Sequence, residues 1–246
     1  MRTIALLFCI LFIPFGPLRS KIINGYSAKL AATRLTIHNL DSLVRDPDLS
    51  DRELKKIKKC VKVLRNLQEK EKALTVWHDK TEALLRQLRD IDPVLYHEID
   101  AISDSEGHPT DVYVKVVVNG QLIHGAVATT NFNQCPDNPN VYTSEFGRHT
   151  VCVQVCALKN ILVSLAHEFG HVRYQVPNLK SYMEYYNKYY NNDSDKFTPM
   201  HQYNVGHNSD DPSHQSVKFV LSRFHVRLDS LEILPTMDAG DKEPDL

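Results

Sequence analysis

Apolar positions along this chain change their period twice. From Asp41 to about Ile102 they recur every three or four residues, the spacing that lines one face of an α-helix. Ser50-Asp51-Arg52-Glu53 reads as a capping box, in which the serine and glutamate side chains can each satisfy an otherwise orphaned amide. Leu54, Ile57, Val61, Leu64 and Leu67 continue one helical pattern, and Leu74, Trp77, Leu84, Leu85 and Leu88 a second, which Asp92-Pro93 interrupts. Near Pro109 the period shortens. Val112 to Val118 is rich in β-branched residues, Asn119-Gly120 is a strong hairpin signal, and Gln121 to Thr130 is expected to return as the second strand of a β-hairpin. Asn131 to Asn140 reads as a loop. A further strand is expected at about His149 to Cys156, with Val151, Val153 and Val155 on one face and Cys152, Gln154 and Cys156 on the other.

Helical spacing then resumes. Leu158, Ile161, Leu162, Leu165, Ala166 and Phe169 predict a buried helix over about Leu158 to Tyr174, which Pro177 stops. Asn178 is placed to cap a following helix, about Leu179 to Asn191, whose Tyr182, Tyr185, Tyr186, Tyr189 and Tyr190 read as a packing stripe. Asp211-Pro212 reads as N-cap and first residue of a last helix, Ser213 to about Leu228. The pattern is that of an α+β chain, a helical segment followed by a small antiparallel or mixed sheet beside a buried helix.

The ends and the composition refine this picture. Arg2 precedes an apolar run from Ile4 to Ile13 that Pro14 and Gly16 break. Such a run is shorter than the roughly 20 residues that span a bilayer and fits the core of a signal peptide. The expected organisation is a signal peptide over 1–20, a helical segment over 21–105, a second domain over 106–235 and an acidic tail over 236–246. The mature chain is thus expected to be exported, whether secreted, periplasmic or in the cell envelope, and to have no membrane span. With 246 residues, 42% of them hydrophobic, and a formal net charge of -1, it can bury a sizeable core and has no electrostatic lean toward nucleic acid. The cluster Lys55-Lys56-Ile57-Lys58-Lys59 reads as a solvated helix face without a function. Beyond the leader stand Cys60, Cys135, Cys152 and Cys156. Cys152 and Cys156 are separated by about 13 Å of extended chain, too far for a disulfide. Cys135 with one of them is the favoured bridge, and buried thiols are the alternative.

The candidate chemistry sits on the buried helix, at His167-Glu168-Phe169-Gly170-His171. Residues four apart on a helix lie one above the other, so both imidazoles can direct a nitrogen at a single tetrahedral ion. Glu168 is rotated by about 100° from His167, a position from which its carboxylate misses the metal yet reaches a water beside it. Zinc lowers the pKa of a water it binds to near 7, which makes a nucleophile available under mild conditions. Two histidines on an apolar helix would otherwise be costly, and a shared metal satisfies both.

The segment Leu165-Ala166-His167-Glu168-Phe169-Gly170-His171-Val172 resembles the active-site helix of the zincin metallopeptidases. That resemblance covers roughly the second half of the chain and is specific at this helix. It implies a zincin-like domain, with a short sheet whose edge strand receives an extended peptide. His167 and His171 would be ligands of a catalytic Zn2+ and Glu168 its general base. After His171 comes Val172-Arg173-Tyr174-Gln175-Val176-Pro177, which departs from the x-x-G-x-x-H continuation of metzincins and leaves the third ligand open. Glu184, His201, His207, Asp210, Asp211 and His214 are the downstream donors. His207, a histidine after glycine with no structural task of its own, is the first choice. Asp211 is the alternative; it would make the site resemble the aspzincin group, whose motif matches poorly. The function implied is an exported zinc-dependent endopeptidase acting on a peptide or protein, with no oligomeric state indicated. Two readings stay open beside it: a non-catalytic zinc-containing binding protein of the cell envelope on the same scaffold, and a secreted toxin or effector protease with one host substrate.

Overall fold

The computed structural model describes residues 21–44, 51–122, 126–132, 150–178, 181 and 212–225. In chain order the described elements are β1 (Ile22–Asn24), α1 (Ser27–Val44), α2 (Asp51–Ile91), α3 (Pro93–Asp100), β2 (Asp111–Val117), β3 (Ala128–Phe132), β4 (Thr150–Cys156), α4 (Ile161–Gln175) and α5 (Pro212–His225). The fold is therefore mixed α and β, with a small four-stranded mixed sheet. Its order is β1-β2-β4-β3, with β1 and β4 parallel to β2 and β3 antiparallel to β4.

The expected hairpin does not form. Its turn does: the Gln121 amide donates to the Val118 carbonyl over 3.2 Å, and Gly120 supplies a φ of 86°. The next described strand, β3 from Ala128, pairs with β4 on the side away from β2. Burial explains the choice. Val112, Val114 and Val116 are buried on one face of β2, and Lys115 and Val117 on the other. A strand covered on both faces belongs in the middle of a parallel arrangement. β4, buried everywhere but at Gln154, takes the place beside it, pairing Val112 with Val151, Val114 with Val153 and Val116 with Val155.

The two helical patterns of the N-terminal half are one helix of 41 residues. Between Leu67 and Leu74 stand Gln68-Glu69-Lys70-Glu71-Lys72-Ala73, all strong helix formers, so nothing interrupts the turn. β1 and α1 precede it, and Arg34 of α1 pairs with Glu71 of α2 over 2.8 Å. Asp92 ends α2 and caps α3, accepting the Leu95 amide at 3.0 Å with Pro93 as first helical residue. Its other oxygen accepts from Arg223 of α5 at 3.0 Å, which ties the last helix to this corner.

Tyr26, Trp77, Leu88, Ile99, Val114, Val153, Phe169 and Val220 belong to one buried cluster. Residues from both sides of position 105 thus share a core. Cys60 is half-buried and Cys152 and Cys156 are buried, while Cys135, the partner expected for one of them, lies outside the described residues. Burial pushes the Cys156 thiol pKa up. Ser50, Cys135, His207, Asp211 and the tyrosine stripe lie outside the described residues. Among the described residues no helix is long and apolar enough to cross a membrane.

Candidate metal centre

α4 carries the motif and begins three residues later than its apolar pattern suggested. The Leu158 amide bonds back to the Cys156 carbonyl and the Ile161 amide to the Leu158 carbonyl, a pair of turns that lead from β4 into the helix. Ile161, Leu162, Leu165, Ala166 and Phe169 are buried as their spacing requires. At the other end the Asn178 side chain donates to the Tyr174 carbonyl at 2.8 Å. That bond satisfies an otherwise orphaned carbonyl at the end of α4, and all but Ser181 of the helix that Asn178 is expected to cap lies outside the described residues.

His167 and His171 converge. Their Nε2 atoms are 3.2 Å apart, with ring planes inclined by 66°. Two nitrogens bound at 2.0–2.1 Å to one tetrahedral zinc lie about 3.3 Å from each other. The pair is therefore already spaced as two ligands of one ion. His171 is buried, and its Nδ1 lies 3.2 Å from the Oγ of Ser213, which is fully buried at the start of α5. If the hydroxyl accepts from Nδ1–H, the opposite nitrogen keeps the lone pair that a metal needs.

α5 can approach this closely because of a glycine. A Cβ on Gly170 would sit 2.7 Å from the Val217 Cα, so the two helices cross where α4 has no side chain. Ser213 lies one turn before Val217 on the same face, and the crossing delivers its hydroxyl to His171.

Glu168 is buried between the helix and the sheet edge. The Thr130 hydroxyl, on edge strand β3, donates to its Oε2 at 2.5 Å. Burial pushes the Glu168 pKa up to about 7, and the bond from Thr130 opposes that rise. A carboxyl poised near neutrality can both accept and return a proton.

The fold thus gathers His167, Glu168 and His171 with two residues that the sequence pattern gave no role, Thr130 and Ser213. Among the described residues no group of three or more His, Cys, Asp or Glu side chains is placed to hold a metal. The two histidines fit zinc in spacing and donor type, and His207 and Asp211, the residues expected as a third ligand, lie outside the described residues. Comparison with protein-family models, curated proteins and solved structures finds no match.

Proposed function

We propose that this chain is an exported zinc-dependent endopeptidase of the zincin type. The observation that carries the reading is the 3.2 Å approach of the His167 and His171 Nε2 atoms one residue away from a buried glutamate. His167 and His171 hold the metal, completed by His207 or by Asp211. The covalent chain supports a ligand from that segment, since Asp211 stands two residues before Ser213 and is held within about 8 Å of it, Cα to Cα. When bound, zinc polarises the scissile carbonyl and acidifies water.

The remaining work falls to side chains of this protein. Ser213 orients the His171 ring. Thr130 fixes one oxygen of Glu168 and leaves the other to take a proton from the attacking water and pass it to the departing amine. β3, at the edge of the sheet among the described residues and bonded to the base through Thr130, is the strand on which an extended peptide adds by backbone pairing.

Zinc content and hydrolysis of a broad peptide library test the reading. The wild type is expected to bind one zinc and to cleave. Glu168→Gln is expected to keep the metal and lose at least 100-fold in kcat, about the scale of general-base catalysis. Zinc binding without hydrolysis in the wild type would favour the binding-protein reading, and a wild type that binds no zinc would remove both. Loss of zinc in His207→Ala or in Asp211→Ala names the third ligand.

A further inference from the structure

From Lys59 to Ala73, α2 stands outside the shared core. From Leu74 onward its inner face is buried at Leu74, Trp77, Leu84, Leu85 and Leu88, whereas from Lys59 to Ala73 only Leu64 is buried. Asp51 to Leu74 extends about 35 Å at helical rise, with α1 as its companion through Arg34 and Glu71. The outer part of this arm is strongly basic. Between Asp51 and Arg65 seven positions are Lys or Arg and two are acidic, in a chain whose net charge is -1. At 100° per residue, Lys59 and Lys62 fall on the side of the helix opposite Val61 and Leu64.

These charges are also uncompensated where they are described. Lys59, Lys62 and Arg65 are exposed, and none forms an ion pair among the described residues. Further along the arm two cations are matched, Lys72 by Glu69 and Arg34 by Glu71. Two aliphatic side chains of the arm, Leu35 at 61% and Val63 at 49%, are among the most exposed large hydrophobics described.

We propose that this arm is a docking surface for an anionic phospholipid bilayer. Lysines beside an exposed valine on α2, with an exposed leucine on the accompanying α1, suit the boundary between headgroups and acyl chains, where each cation and each buried apolar group adds to binding. Nucleic acid is the poorer partner, because no aromatic residue stands between Tyr26 and Trp77 to stack on a base. The inference is independent of the motif chemistry.

Cosedimentation of the full chain with vesicles tests it, using neutral phosphatidylcholine alone or with 30% phosphatidylserine. Binding is expected only with the anionic lipid and is expected to fall steeply between 0.1 M and 0.5 M salt. Replacing Lys55, Lys56, Lys58 and Lys59 by glutamine should weaken it at least tenfold while leaving the helical circular dichroism unchanged. Absence of binding, equal binding to both vesicles, or binding unaffected by the four substitutions would overturn the proposal. So would tighter binding to duplex DNA than to the anionic vesicles.

Discussion

Replacing Glu168 by glutamine should make the metal-free protein more stable above neutral pH, although it removes the central residue of the motif. Glu168 is 7% exposed, and burial raises its pKa from 4.5 to about 7. The folded state therefore holds this proton more tightly than the unfolded chain does. The stabilisation is complete below pH 4.5 and is lost as pH rises through about 7. A displacement of this size corresponds to about 3 kcal/mol between the protonated and ionised limits. Glutamine keeps the shape and can still accept from Thr130, but never ionises. Chemical denaturation of both proteins in a chelator, from pH 4.5 to 8.5, isolates the effect, because every other titrating group cancels in the difference. The stability of Glu168→Gln relative to wild type should rise across that range by about 3 kcal/mol, or roughly 10 °C in Tm for a chain of this size. Saturating zinc should shrink the difference at pH 7, since a nearby dication favours the carboxylate. A difference that stays flat with pH would refute the burial argument, and one unaffected by zinc would separate Glu168 from any metal.

Three further substitutions probe the parts that support the motif. Gly170→Ala should cost about 1–3 kcal/mol in denaturant melts despite the better helix former, because its Cβ would press on the Val217 backbone. Ser213→Ala should weaken zinc binding about 10- to 100-fold in competition with a chelating dye, since it frees the outer nitrogen of His171. Thr130→Val should leave zinc content unchanged and shift the acid limb of the kcat profile to higher pH, because the hydrogen bond it removes holds the Glu168 pKa down.

What could be read from the sequence and what could not divide along the range of the forces involved. The motif helix was legible because a histidine pair and six apolar positions recur at one local period, and β4 because its valines alternate. β1 was invisible, since three residues carry no period. The hairpin expectation failed for a more instructive reason. Asn119-Gly120 does turn the chain, but a turn specifies only a local reversal, whereas the partner of β2 is set by which strand can cover its valines on both sides of a parallel ladder. β4, arriving more than thirty residues later, satisfies that demand better than the neighbouring segment. The same logic governs the site. The two histidines and the glutamate share one helix and so leave a signature in five consecutive residues. Their supports do not: Thr130 reaches Glu168 across 38 positions and Ser213 reaches His171 across 42. Only the sheet order, which puts β3 at the edge beside α4, and the bare backbone at Gly170, which admits α5, bring those hydroxyls in. Gly170 thus bears on this outer structure from inside the motif, so the five residues that align two histidines on α4 also hold the bare backbone at which α5 crosses.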